Sequence, residues 1–432
     1  MLIRTVRRGD TVTSIARETG VPPARIITDN LLGEPGRLAV GQDLLIQYPT
    51  VTHTVAGGDT LTAIAARYGV SRLAILRNNP VLDGADRIYP GQILNIVYEP
   101  PEYGDAVTMG YAYPFIDRTV LRRTLPYLTY LSIFSTGLRP DASLIPPESE
   151  EEFIDLARAY AAEPLLTLTS LTEGGTFSSE LVAEIFASPA LTERLADNLA
   201  EAVVRAGYGG VDSDFEYIPP AYAAAYADFL ALLSERLPEG VPVFVSLAPK
   251  VRADQSGLLY EGHNYPLLGA AADGALLMTY EWGYTFGPPM AVAPLGEVRR
   301  VVDYAVSEIE PQKLLLGLPN YGYDWALPYV PGQSRAESLG NVAAVNRAAD
   351  RGAEIRFDER AASPFYTYFD RPETYEDAVE HVVWFENARS VRDKLLLGAE
   401  YGLGGFGVWN VMRYFPALWT LINRMFRIRK FV

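Results

Sequence analysis

Residues 209–217, GGVDSDFEY, place Asp212, Asp214 and Glu216 at alternating positions among apolar neighbours. Alternate side chains of a β-strand point to one face, so this spacing predicts three carboxylates on the same side of a strand. Gathering like charges away from water costs hydration and adds repulsion, which demands hydrogen bonds, shared protons or a ligand in compensation. A strand with one wet face would show the same alternation, and only the surrounding elements separate the two readings. For a buried set the natural chemistry is proton transfer. Burial and a neighbouring negative charge keep one carboxyl protonated near neutral pH, ready to donate to a poor leaving group.

The surrounding elements favour burial. From residue 106 onward the chain alternates apolar, β-branched or aromatic runs with amphipathic helical stretches. The runs are 107–113, 130–135, 165–170, 209–217, 243–249, 274–282, 314–323 and 404–410; the helical stretches include 151–163, 188–207, 219–237 and 294–309. Eight such alternations predict an α/β fold, a (β/α)8 TIM barrel over 106–432. The carboxylate stretch is then its fourth strand, which has no solvated face. Chemistry in that fold sits at the C-terminal ends of the strands, which puts Glu216 nearest the mouth.

The first hundred residues repeat a small unit. Residues 6–30 match residues 55–79, and Gly9 and Gly58 lie 49 positions apart. Each copy has Gly-Asp-Thr before an amphipathic helix, a second helix ending at Asn30 or Asn79, and a closing strand after Val-Gly-Gln or Pro-Gly-Gln. Asp10, Thr11, Asp59 and Thr60 suit a turn and helix N-cap. Each copy therefore predicts a βααβ unit, module 1 at 1–49 and module 2 at 50–99. Residues 100–105, beginning with the pair Pro100-Pro101, read as a stiff linker. The repeat resembles the LysM module, a binder of N-acetylglucosamine-containing glycans. The resemblance implies glycan contacts at Gly58, Asp59, Thr60 and Ile88, with Gly9, Asp10 and Thr11 as their counterparts in a more divergent first copy.

In the barrel region, GGVDSDFE resembles the DGxDxDxE signature of glycoside hydrolase family 18. LMTYEW resembles its sixth-strand Met-x-Tyr-Asp motif and GVWN its final-strand tryptophan. The resemblance implies a reaction in which the substrate's own 2-acetamido oxygen attacks the anomeric carbon. Glu216 is then the general acid, Asp214 orients the acetamido N–H, and Asp212 behind it shares a proton or hydrogen bond. Tyr280 would hydrogen-bond the acetamido carbonyl, and Trp409 would form the floor under the sugar. Tyr111, Asn320, Tyr321 and Trp282 are expected on a sugar-lining rim, whereas Glu386 reads as structural. Two positions depart from the pattern: Gly209 and Glu281 each stand where the family commonly has Asp.

Residues 278–294 and 382–390, together with the two LysM-like modules, resemble the spore cortex-lytic N-acetylglucosaminidases. This implies cleavage of β-1,4 N-acetylglucosaminyl linkages in cortex peptidoglycan or its fragments during germination, in the coat and cortex region of an endospore. Spore coat proteins are a candidate class of protein partner. Muramic lactam has no free acetamido arm, so the nucleophile must come from the N-acetylglucosamine residue. A chitinase or chito-oligosaccharide hydrolase shares the machinery, and a non-catalytic glycan-binding coat protein is the alternative from another class; the presence of Glu216 speaks against the last.

Composition narrows the field further. The chain has 432 residues, no cysteine and three scattered histidines, which leaves no disulfide or thiolate site and argues against a metal. No cofactor is expected. A formal net charge of −16 argues against nucleic acid as partner. Neither an export signal nor an apolar run of the roughly 20 residues a membrane span needs is visible. The basic tail, residues 424–432, reads as the solvated end of a last helix.

Overall fold

A computed structural model describes residues 1–33, 36–370 and 378–431. Residues 34 and 35 in the divergent loop of module 1, and residue 432 at the end of the basic tail, lie outside them. Eight parallel strands close into a barrel: Asp105–Ala112, Tyr130–Leu138, Glu163–Thr169, Gly210–Asp214, Val243–Leu247, Gly274–Leu277, Leu314–Pro319 and Gly405–Trp409. The eighth pairs with the first through Gly405 opposite Val107, which completes the ring. Helices cover its outside, so a strand such as Tyr130–Leu138 is buried along its whole length and reads as a continuous apolar run. The helix Pro189–Ala206 shows why the helices settle there. Leu195, Ala196, Leu199, Ala202 and Val203 recur at three- and four-residue spacing and are buried, and Gly207 ends the helix in the left-handed conformation.

Two strands stop earlier than the sequence suggested. The fourth ends at Asp214 and the sixth at Leu277, so Glu216, Tyr280 and Glu281 lie on the loops that follow. The run 314–323 is also not one strand. It breaks after Pro319, and the chain leaves the barrel to build a separate five-stranded antiparallel sheet before the eighth strand. Its strands are, in spatial order, Glu337–Leu339, Gly322–Ala326, Glu380–Trp384, Ser363–Phe369 and Arg356–Asp358, with the helix Asn341–Arg351 beside them. Ser363–Phe369 alternates buried and more exposed residues along its second half, as a half-covered sheet does. This insertion has its own core, from Leu339, Ala344, Tyr366, Val383 and Phe385.

The basic tail is likewise not a solvated helix end. The last helix stops at Met425, and Arg427–Ile428 adds a short parallel strand beside Asp105–Ala112. Lys430 is half-buried, and its ammonium donates to the carbonyls of Leu125, Leu128 and Tyr160. Three carbonyl acceptors at the base of the barrel hold this lysine where the expectation left it in water.

Both modules are βααβ units, with Thr11 and Thr60 as helix N-caps. They are not loosely tethered. The core of module 2 is continuous with that of the barrel, and Tyr160 donates to the Gly84 carbonyl at 2.7 Å. Module 1 docks on the insertion and on the helix Ala388–Glu400. The buried Asp43 carboxylate accepts from Asn387 Nδ2 at 2.6 Å and Arg389 Nε at 2.9 Å, and the Val40 carbonyl accepts from Ile355 N–H at 2.8 Å. Gly41 makes this approach possible, because a Cβ there would lie 1.8 Å from the Ile355 carbonyl oxygen. Within the linker itself, Tyr103 N–H donates to the Met425 carbonyl, which ties the exposed segment to the end of the last helix.

Glu386, at the start of the helix that module 1 grips, is paired with Lys394 at 2.8 Å, and both side chains are 1% exposed. Burial outweighs the lysine's attraction and pushes the Glu386 carboxyl above its ordinary value. Removing one partner of such a pair strands the other charge. Lys394→Met should therefore lower stability by about 3–5 kcal/mol, whereas Lys394→Met combined with Glu386→Leu should recover most of that loss. Urea unfolding of the three proteins checks this; a double variant as unstable as the single one would contradict it.

Candidate active site

At the C-terminal mouth of the barrel lies a cleft of about 560 Å³, lined by Asp214, Glu216, Tyr280, Glu281, Trp282 and Trp409 among others. The expected site residues come from barrel strands and the loops that follow them. Asp212 and Asp214 come from the fourth strand, with Glu216 two residues beyond its end. Tyr280 and Glu281 follow the sixth strand, Asn320 and Tyr321 follow the seventh, and Trp409 ends the eighth.

The carboxylates differ in depth. Asp212 is fully buried below the cleft and its pKa is pushed up to about 6 by loss of solvation. The hydroxyls of Tyr111, Ser132 and Ser246 surround it and pull the other way, although neither carboxylate oxygen forms a hydrogen bond of good geometry. Asp214 is held well above the usual carboxylate range, first by burial and then by the charges of Glu216 and Asp212. Glu216 is also raised, by burial and then by Glu281. All three carboxyls are thus held above their ordinary values.

Gly209, which departs from the family pattern, has a local cause. A Cβ at this position would stand 2.2 Å from Oε2 of Glu163 on the neighbouring strand, so a side chain here would require the Glu163 carboxylate to move. Glu281 has a different setting. The residue opens to the cleft in the left-handed conformation, φ 66°, while its carboxylate is turned onto two phenols. Tyr321 donates to Glu281 Oε1, and Tyr323 donates to Oε1 at 2.9 Å. These bonds lower the Glu281 pKa, but burial of the carboxylate outweighs them and the net shift is upward.

Tyr280 has its phenol pushed well above the ordinary tyrosine range by burial and the nearby carboxylates, so it remains an O–H donor. Trp409 is braced edge-on by Tyr111, Tyr113 and Phe134 at ring separations of 5.5, 6.0 and 5.0 Å. Its indole is thereby fixed as one wall of the cleft.

The expected rim residues are dispersed. Trp282 lines the cleft. Tyr111 does not: it is 1% exposed, lies under the floor and shares a 3.3 Å hydrogen bond with Ser246. Its position inside the first strand turns the ring into the closed barrel interior. Asn320 and Tyr321 are buried and line an adjoining chamber instead. Sequence reasoning missed Tyr113, Phe134, Phe177, Tyr217 and Tyr260, which also line the cleft, and Tyr323. Of these Tyr113 and Tyr323 carried a signal, each standing two residues after an expected rim residue, Tyr111 or Tyr321.

In the modules, Gly9 and Gly58 are exposed at positive φ, 89° and 91°. Thr11 and Thr60 accept from Ser14 and Ala63 N–H as caps. Asp10 accepts from Arg7 N–H, and Asp59 from Ala56 N–H with His53 alongside at 2.8 Å. Ile88 is half-buried, and the Tyr89 that follows is 59% exposed. Its counterpart in module 1, Ala39, is buried in the core of the insertion.

Comparison with known proteins agrees with this architecture. The model of the family Glycosyl hydrolases family 18 matches residues 143–413, and that of the LysM domain matches residues 5–47 and 53–97. The cortical fragment-lytic enzyme of Bacillus anthracis is 35% identical over 99% of each chain. The crystal structure of the Bacillus cereus spore cortex-lytic enzyme SleL superposes with a TM-score of 0.83 at 33% identity, covering 99% of this chain and 98% of that one. A chitinase from Chromobacterium violaceum shares the barrel fold at 22% identity and a TM-score of 0.68, over 74% of this chain and 98% of its own. The chain belongs to glycosyl hydrolase family 18, a glycoside hydrolase whose catalytic barrel is preceded by two LysM domains.

Proposed function

We propose that the protein is a spore cortex N-acetylglucosaminidase that hydrolyses β-1,4 linkages in peptidoglycan or its fragments by substrate-assisted retention. The observation that carries this reading is the buried Asp214–Glu216 pair at the cleft mouth, beside a tyrosine held as a donor. The names of its full-length relatives, cortical fragment-lytic enzyme and spore cortex-lytic enzyme, favour cortex glycan over chitin as the substrate and the spore as the place of action. The modules would hold N-acetylglucosamine-containing polymer through Gly58, Asp59, Thr60 and Ile88, and more weakly through Gly9, Asp10 and Thr11.

Glu216, kept protonated by burial and by Glu281, delivers its proton to the glycosidic oxygen. As that bond breaks, the acetamido carbonyl oxygen of the substrate closes on the anomeric carbon. Asp214 accepts from the acetamido N–H, Tyr280 donates to the acetamido oxygen, and Trp409 packs against the ring. The resulting oxazolinium positive charge is balanced by Asp214, whose extra proton passes toward Asp212. Glu216, now a carboxylate, takes a proton from water as that water opens the ring, and the β configuration is restored.

The identity of the bond is read by mass spectrometry of muropeptides after digestion: fragments with N-acetylglucosamine at the new reducing end are expected, and muramic reducing ends would refute the assignment. Glu216→Gln should retain fold and glycan binding but lose about 100-fold to 10,000-fold in turnover, checked by steady-state kinetics on the purified variant.

The pH profile offers a separate check with a defined sign. The Glu281 charge raises the Glu216 pKa. Removing it in Glu281→Gln should lower that pKa, so the protonated acid is lost at lower pH and the alkaline limb of kcat shifts toward acid. An unmoved limb, or one displaced upward, would contradict the electrostatic link. If the acetamido group is the nucleophile, a de-N-acetylated oligosaccharide should bind yet hardly turn over, and a thiazoline analogue should inhibit. Full turnover of the de-N-acetylated substrate would remove substrate assistance.

A further inference from the structure

Beyond Trp409 and Glu281 the cleft continues into a second chamber of about 480 Å³, reaching across Asn320, Tyr321 and Tyr323 to Ser338 and Arg413. Tyr113, Glu281 and Trp409 line both spaces, so a glycan seated on Trp409 has room to extend into the second. The two chambers differ in charge. The first holds the catalytic carboxylates, and the second adds the exposed guanidinium of Arg413.

Arg413 is notable for what its neighbours already do. Its guanidinium forms no hydrogen bond or ion pair with any described residue. The two carboxylates whose fields reach the same region are committed elsewhere. Glu337 makes two hydrogen bonds to Arg347, at 2.9 and 3.0 Å, and Glu281 is occupied by Tyr321 and Tyr323. The residue is nonetheless anchored. Its carbonyl accepts from Asn320 Nδ2 at 2.7 Å, and its side-chain Cδ lies 2.8 Å from where a Cβ on Gly340 would stand. Asn320 Oδ1, in the same wall and buried, has no donor. A cation without a hydrogen-bond or ion-pair partner among the described residues and a buried acceptor without a donor thus share one wall, in a chain whose formal net charge is −16.

We propose that this chamber recognises a carboxylate-bearing sugar residue, the peptide-substituted neighbour of the sugar on Trp409. Arg413 pairs with a carboxylate of the peptide stem, and Asn320 Oδ1 accepts from a hydroxyl or amide N–H of the same residue. This deepens the cortex reading above and rests on it for the identity of the glycan. Because the guanidinium is solvent-exposed, the pairing adds selectivity on the scale of one surface charge pair, about fivefold in affinity, and weakens with salt.

The test uses the full chain in the inactive Glu216→Gln form. Calorimetry compares a muramyl-peptide tetrasaccharide carrying free stem carboxylates with the same tetrasaccharide after methyl esterification. The expected result is about fivefold tighter binding of the free carboxylate form at low salt. Adding Arg413→Ala should abolish that ratio, and Arg413→Lys should restore part of it. Equal affinity for both forms, a preference that survives Arg413→Ala, or binding of neither form overturns the proposal. Cleavage of the same two glycans by the unaltered enzyme reports the cortex reading separately. If chitin oligomers are cleaved and neither muramyl glycan is, that reading fails, while the binding ratio still decides the role of Arg413.

Discussion

Closing a parallel sheet into a barrel leaves its fourth strand without a wet face, and this constraint governs the carboxylates. Asp212, Asp214 and Glu216 cannot all be ionised in such a place at neutral pH. The barrel lifts all three carboxyls: burial raises each of them, Glu216 and Asp212 add to the shift of Asp214, and Glu281 adds to that of Glu216. What would be a liability in a structural strand here holds three carboxyls above their ordinary values beside the cleft. The depth gradient also divides the labour. The innermost group is ringed by hydroxyls and touches nothing in the cleft, and the outermost stands free to meet a leaving group.

The loops after the strands convert that electrostatic set into a shaped site. Ending the fourth and sixth strands early releases Glu216, Tyr280 and Glu281 from strand geometry and lets them turn across the mouth. Glu281 adopts a left-handed backbone conformation that costs energy for any residue with a side chain. Its two phenol donors come from the seventh-strand exit and the first insertion strand, so the insertion and the barrel set this carboxylate together. The insertion thereby does two jobs, walling the second chamber and holding the Glu281 carboxylate.

It does a third in holding module 1. The loop that remains open in module 2, around Tyr89, is in module 1 folded against the insertion core through Ala39. Two modules with one ancestral pattern have thus met different surroundings, and their exposed edges are no longer equivalent. Continuous packing of module 2 with the barrel makes the three parts a single body among the described residues.

Several features were legible in the sequence because each depends on neighbours along the chain. The period-two carboxylates, the alternation of apolar runs and amphipathic helices, the repeated Gly-Asp-Thr turns with their Thr caps, and the structural role of Glu386 all follow from local spacing. Others were not. The run 314–323 is mostly apolar, and although Pro319, Asn320 and Gly322 permit a break, they do not tell that one sheet ends there and another begins. Tyr111 lies on a strand like any rim candidate, and only the closed ring decides that its side chain points under the floor. Lys430 looks like a solvated tail residue until three carbonyls from distant loops converge on it. The absence of a side chain at 209 is written in the chain, but its reason, the Glu163 carboxylate on the adjacent strand, exists only after the strands pair. The sequence by itself determined which residue types stand at which intervals, and so the strands, helices, caps and the carboxylate face. Tertiary structure decided which of them meet, because solvation, proton sharing and contact depend on distances that chain spacing does not contain.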